Sequence, residues 1–279
     1  MNVSSINEAA QTVHAAADHG AEQAAEELPN FITVLEHFFP KSSVVQFLAH
    51  WQNLVFSFLV LSLIAYTALR AAQKKNFLPK GVQNIWEMFV EAITGFVTGI
   101  LGPKGAEHVP FLGTVFLYIL LQNWLGMIPL MKSPTSAWST TIALALITMV
   151  YIQWVGIKEQ GFLHYLKHMA GNPVGILGLC LIPIMLVINL SIEFLAVPLS
   201  LSLRLFANVS SEDKLIFKFA ELNALYYFVP FFFQIFANVL VVIFSLVQAF
   251  VFLLLSTVYI SLIMPHGEHE DVPRGREAH

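Results

Sequence analysis

The chain has 279 residues, of which 57% are hydrophobic and only 11% charged. Soluble domains carry roughly 25% charged residues, and several apolar runs here exceed the ~18 that mark a membrane-span candidate, so a water-soluble globular protein is excluded. The net charge is −4, and the single Cys180, set in an apolar run, leaves no disulfide framework and no thiol metal site.

Residues 1–43 read as a polar N-terminal segment. Its first 40 residues hold six acids (Glu8, Asp18, Glu22, Glu26, Glu27 and Glu36) and no Lys or Arg, a pattern with neither the basic nor the apolar region of a secretory signal peptide. A first span is predicted at about 44–69, ending in Arg70, Lys74 and Lys75. After Pro79 and Gly81, the segment 82–101 places Trp86, Phe89, Ile93, Phe96, Val97 and Ile100 at helical spacing, with Glu87 and Glu91 elsewhere. That pattern predicts an amphipathic helix lying on the membrane surface. Two further spans are predicted at about 109–130 and 138–157, joined by a turn containing Pro129, Lys132 and Pro134. Gln122 and Asn123 in the first of them suit interhelical hydrogen bonds. A polar loop from Lys158 to Asn172 completes a transmembrane region over 44–172.

The basic residues assign an orientation. With the N-terminus outside, nine fall on the cytoplasmic side (Arg70, Lys74, Lys75, Lys80, Lys104, Lys158, Lys167, Arg274 and Arg276) and four outside (Lys41, Lys132, Lys214 and Lys218). The positive-inside rule then puts the N-terminus out and the 266–279 tail in the cytoplasm.

From 173 to 265 the chain is almost continuously apolar, with a polar cluster at 211–214 and a break expected between Asn223 and Pro230. If each half is one helix, the first runs for ~45–50 residues, about 70 Å, against a hydrocarbon core of ~30 Å. A strongly tilted antiparallel hairpin is the expected solution, with Gly175, Gly178 and Pro183 able to bend its start. Its long apolar flank calls for a large apolar partner surface. The whole chain is thus expected to be an all-α membrane protein.

Between Pro173 and Val209 the ionisable residues are Glu193 and Arg204. A charge at mid-membrane costs from about 2.5 to above 10 kcal/mol and marks an ion pathway or a partner charge by default. Arginine keeps its proton at any relevant pH, so Arg204 serves as a fixed cation and not as a proton relay. Such a cation repels a hydronium ion and attracts a carboxylate carried by another subunit. On an unbroken α-helix Glu193 lies ~20° from Arg204, about 16 Å along the axis, with Ser200 and Asn208 one turn either side of the arginine. The second arm supplies Gln234, Asn238, Ser245 and Gln248; a turn near residue 226 would set Gln248 opposite Arg204. Plainer readings stand beside these. Arg204 also fits a structural pairing with Glu193 or snorkelling to the interface, Glu193 fits a structural acid, and Glu212, Asp213 and Lys214 fit a solvated mouth.

The run PLSLSLRLFAN (198–208) resembles the hallmark of subunit a of the F-type, rotary ATP synthases. QAFVF (248–252) and TVYIS (257–261) resemble that family's last helix, and QNWLGMIP (122–129) with STTIALA (139–145) its second and third spans. The resemblance covers roughly 44–264. It implies a bacterial inner-membrane stator subunit beside a rotating ring of c subunits, with the peripheral-stalk subunit b and other synthase subunits as partners and lipid around it. Arg204 would match the family's essential arginine, Gln248 its facing glutamine and Asn208 the polar residue one turn on. Either Glu212 or Asp213 would take the inlet-carboxylate role, and Glu193 matches an acid that sits three residues further from Pro198 in several relatives. Where many bacterial members carry an ionisable residue seven positions before the glutamine, this chain has Val241.

Other function classes fit less well. An independent secondary transporter of an anionic substrate predicts paired repeats with discontinuous helices, and no such repeat is present in the sequence. Neither Gly-x-Ser-x-Gly nor His-Glu-x-x-His occurs, and all ten histidines lie outside 173–263. The expectation is therefore a channel subunit with no catalysis of its own, no cofactor, no metal and no nucleic-acid partner.

Overall fold

The structure, a computed structural model, describes residues 30–40, 42–73, 81–128, 130–161, 165, 175–225 and 229–264, with backbone alone at 175–181, 220, 223–225 and 229–231. The polar lead before residue 30, most of the 158–172 loop, the Cys180 side chain and the 266–279 tail lie outside the described residues, as do Lys41, Lys74, Lys75, Lys80, Lys167, Arg274 and Arg276.

Every regular element among the described residues is helical. In chain order they are α1 (Phe31–Phe38), α2 (Ser43–His50), α3 (Gln52–Gln73), α4 (Val82–Leu101), a 3-10 segment (Pro103–His108), α5 (Val109–Leu125), a 3-10 turn (Pro134–Ser136) and α6 (Trp138–Gln160). Then come α7 (Gly175–Ser191), a π turn (Ile192–Ala196), α8 (Val197–Leu225) and α9 (Val229–Ile263). Five stretches are long and apolar enough to cross a membrane: Gln52–Gln73, Pro103–Leu125, Trp138–Gln160, Ile182–Phe219 and Phe232–Ile263.

The boundaries differ from the sequence reading in three places. The first span is not one helix from 44: it breaks at Trp51, which closes α2 through its N–H to the Phe47 carbonyl and opens α3 by accepting from Leu54 and Val55. The second span ends at Leu125 and not near 130, because Met127 and Ile128 tighten onto the carbonyls of Trp124 and Leu125. In the third difference, a π turn interrupts the first arm of the 173–265 region. The arm break itself falls between Leu225 and Val229, inside the expected window. α4 takes the predicted bounds, and its Trp86, Phe89, Ile93, Phe96, Val97 and Ile100 are all buried or half-buried while Glu87 and Glu91 are exposed.

The chain divides into two compact units, each assembled from three stretches. The first comprises residues up to 86, 116–141 and 202–250. Its N-terminal cap is Asn30, whose side chain accepts from the Thr33 N–H while the Thr33 hydroxyl accepts from the Asn30 N–H. This reciprocal box satisfies two donors that a helix start otherwise leaves open. Asn30 also donates to Gln52 at 3.0 Å, and the Phe31 N–H reaches the Leu130 carbonyl at 2.7 Å. Beneath this cap, Phe56, Val60 and Ile64 recur every four residues along α3 and pack with Ile32 and Leu125 in one apolar cluster.

The second unit comprises 87–115, 142–201 and residues from 251 on. There the His108 Nδ1 lies 2.9 Å from the Tyr151 hydroxyl, and Phe111 stacks on the Tyr151 ring at 3.7 Å. Lys158 pairs with Glu107 at 3.6 Å, both largely exposed, which adds little stability. The Gln160 side-chain amide caps the Ile263 carbonyl at the end of α9.

Phe56 is 4% exposed in the first unit's core. Phe56→Ala should therefore cost about 3–5 kcal/mol through the cavity it leaves. The expected result is a lowered thermal midpoint of the detergent-solubilised protein; an unchanged midpoint would mean that the α3 stripe is not what holds this unit together.

Candidate functional site

In the first unit, α8 and α9 carry the polar residues singled out in the sequence. Ser200, Arg204 and Asn208 are all exposed on α8, at the one-turn spacing that a regular helix gives them. Arg204 makes no hydrogen bond or ion pair among the described residues. Its helical neighbours Leu201, Leu205 and Val209 are 3%, 0% and 2% exposed, so one side of α8 is packed and the guanidinium leaves from the other.

Asn208 donates from Nδ2 to the Gln248 Oε1 at 2.7 Å. Ser245 donates its hydroxyl to Glu212 at 3.0 Å. The midpoints of these pairs, 228 and 228.5, set the arm register two residues later than the predicted turn at 226. The consequence is a correction: Gln248 partners Asn208, one turn beyond Arg204, and its amide oxygen is already in use. The shift arises because α8 stays helical to Leu225 and α9 starts only at Val229.

Glu212 and Asp213 are both half-buried, and Lys214 is exposed. The Asp213 Oδ1 sits only 3.3 Å from where a Cβ on Gly126 would stand, and Ser133 Cβ only 2.8 Å from it. Gly126 thus has no room for a side chain, and its bareness is what lets the carboxylate lie against this turn. Ser210 ties α8 to the same turn through the Ser136 carbonyl at 3.2 Å. Nearby polar groups form a seam: Thr135 donates to Asn123 at 2.7 Å, Ser133 to the Gln122 carbonyl at 3.1 Å, and Gln122 to Ser57 at 3.3 Å. Gln122 and Asn123 do make the interhelical bonds expected of them. Three atoms of the seam, Asn53 Oδ1, Gln122 Oε1 and Asn123 Nδ2, are buried without a hydrogen bond among the described residues.

In the second unit, Glu193 stands in the π turn and is half-buried. Its Oε2 accepts from Gln153 Nε2 and from the Tyr165 hydroxyl, each at 3.0 Å, and Tyr165 also donates to the Gln153 oxygen. Burial pushes the Tyr165 phenol above its ordinary value, and the Glu193 carboxylate adds to the rise, so the phenol keeps its proton and acts as a donor. The wide turn also breaks the uniform 100° step from which the 20° alignment of Glu193 with Arg204 is computed.

Sequence reasoning named Arg204, Asn208, Gln248, Glu193, Glu212 and Asp213, but not the roles of Ser245, Gln153, Tyr165 and Gly126. Gln153 carried a signal, being an amide within an apolar span. Tyr165, in a polar loop, carried none.

Helices long and apolar enough to cross a membrane, with an exposed cation that has no partner among the described residues, place the chain in the class of helical membrane proteins. A sequence model of the ATP synthase A chain matches residues 54–261. The chain is 42% identical over 254 residues to the ATP synthase subunit a of Protochlamydia amoebophila, covering 89% of this chain and 93% of that protein. It is 35% identical over 222 residues to the Aliarcobacter butzleri subunit and 33% over 217 to that of Moorella thermoacetica, each match covering 78% of this chain and 92% of the relative. The chain belongs to the family of ATP synthase subunit a, the proton-translocating stator subunit of the F-type ATP synthases.

The Asn208–Gln248 contact predicts non-additive energetics. Asn208→Leu or Gln248→Leu alone strands a polar group, whereas the double variant removes both, giving a coupling of roughly 0.5–3 kcal/mol. Thermal denaturation of the four proteins measures it, and strictly additive losses would remove the bond from the structure's account.

Proposed function

We propose that Arg204 is the charge that separates two aqueous half-channels and passes a carboxylate of a neighbouring c-subunit ring between them. The observation that carries this reading is an exposed guanidinium, free of partners among the described residues, on a stretch apolar enough to span a membrane. An internal acid in contact would have neutralised it. Gln248 does not do so either, since its oxygen is held by Asn208.

Glu212 and Asp213 are the acids of the inlet. The open polar atoms of Asn53, Gln122 and Asn123 in the same unit favour water along that route, because a buried water needs two to four polar partners. Glu193, with Gln153, belongs to the second half-channel. Only 11% of the most apolar part of Ile182–Phe219 is buried within the chain, against 56% for Pro103–Leu125. The α7–α8 arm therefore takes its cover from outside the chain, and the ring and lipid supply it; a strong inclination of this arm and of α9 fits both inside the bilayer. The amphipathic α4 lies on the cytoplasmic surface beside the peripheral-stalk subunit b. The distribution of basic residues supports an N-out, C-in orientation in a bacterial inner membrane. The chain contributes the proton path, and chemistry on the nucleotide belongs to other subunits.

The mechanism sets a sharp requirement on residue 204. Arg204→Ala should reduce proton-driven ATP synthesis in inverted membrane vesicles to background while the complex still assembles on native gels. Arg204→Lys should fail as well, since a compact ammonium that sheds its proton when buried replaces a planar, permanently charged fork. Wild-type rates with either variant would end this reading.

A further inference from the structure

α6 ends at Gln160, and Gly161, at φ +76°, turns the chain back with its N–H on the Ile157 carbonyl. A residue with a Cβ is strained in that conformation. The Tyr165 N–H then bonds to the Gly161 carbonyl at 2.9 Å, which lays the Tyr165 ring along α6. A Cβ at Gly156 would stand 2.5 Å from Ile263 Cγ2 and 2.8 Å from the ring's Cε2, so both side chains lie where only glycine leaves room. From there the hydroxyl reaches Gln153 and Glu193, while the residue as a whole is 5% exposed.

An anchoring role alone does not explain the hydroxyl. A phenylalanine would seal the same slot over Gly156, without bringing a polar atom into a site 5% open to solvent, a placement that costs free energy unless the atom is bonded. Here it is bonded, and to the one carboxylate of the π turn. Gln153 meets the same oxygen from the side of α6. Two neutral donors on one carboxylate oxygen fix the rotamer of Glu193 without cancelling its charge. Among the described residues, the groups bonded to Glu193 are thus the Tyr165 phenol, which is titratable, and the neutral Gln153 amide.

We propose that Tyr165 is a positioning residue for Glu193: folded back from the α6–α7 connection, its hydroxyl aims the carboxylate that the second half-channel uses. This rests on the reading of Glu193 as a proton-path acid, and the test separates the two.

The test measures passive proton conduction through the membrane sector in vesicles stripped of their catalytic head, across a range of pH. The variants are Tyr165→Phe, Glu193→Gln and the two combined, each in the assembled complex. Tyr165→Phe keeps the ring in its slot and should slow conduction roughly 10-fold, the size of one hydrogen bond to a charged group. It should also move the pH of half-maximal conduction. Neither change should appear when Tyr165→Phe is added to Glu193→Gln. A purely structural tyrosine would slow both backgrounds alike and move no pH profile, which overturns the proposal. Wild-type conduction with Glu193→Gln would remove Glu193 from the proton path, and this inference with it. A defect with Glu193→Gln but none with Tyr165→Phe would sink the inference and leave that path standing.

Discussion

A guanidinium that cannot lose its proton sits on an apolar helix with no counter-ion among the described residues, and this constraint shapes what surrounds it. The cost of such a charge at mid-membrane, from about 2.5 kcal/mol upward, would ordinarily be offset by a neighbouring carboxylate. A carboxylate 4 Å away at an effective dielectric constant of about 20 returns some 4 kcal/mol, roughly three pH units of bias toward its ionised form. If that acid belonged to this chain, the site would be permanently occupied. In the proposed mechanism, leaving the position open reserves the attraction for an acid that arrives from outside and leaves again. The side chains nearest along α8 and α9 obey the same rule, since Asn208 and Gln248 satisfy each other and neither is an anion.

The burial pattern follows from that reservation. Pro103–Leu125 and Trp138–Gln160 are about half-buried within the chain, whereas Ile182–Phe219 is almost bare. In lipid there is no hydrophobic gain from packing one apolar helix on another, so helices that associate do so by close fit and hydrogen bonds. The first two spans have both: buried Gln122, Asn123, Thr135 and Ser133 bonded around a glycine that admits Asp213. The exposed flank of α7 and α8 has neither, with Val187, Leu195 and Leu203 among its exposed apolar residues.

Much of this was legible in the sequence because it depends on local periodicity and on the cost of charge in lipid. The six apolar residues of α4 form its buried face with the predicted bounds, and Arg204 stood out as the only basic residue between Pro173 and Val209. What was not legible depends on departures from ideal geometry. A Trp at 51 carries no breaker signal, yet it ends one helix and starts the next. The π turn at Ile192–Ala196 has no glycine or proline inside it, and it alters the face on which Glu193 emerges. Moving the turn from 226 to 228 exchanges Arg204 for Asn208 as the partner of Gln248, a change no composition argument could supply. Tyr165 reaches Glu193 from 28 residues away through a loop whose path the sequence does not constrain.

Glu212 and Glu193 share a feature that fits the working role proposed for them. Glu212 is held by a serine hydroxyl and Glu193 by an amide and a phenol; no cation contacts either among the described residues. A structural carboxylate at this depth is best served by Arg or Lys, because a buried ion is expensive unless paired. Contact with a cation lowers a carboxyl pKa by 1–3 units and would hold it ionised through the whole working range. Hydroxyls and amides orient a carboxylate without placing a fixed opposite charge beside it. In the proposed mechanism, charge that must stay and charge that must come and go have different partners, which is the division of labour a proton path requires.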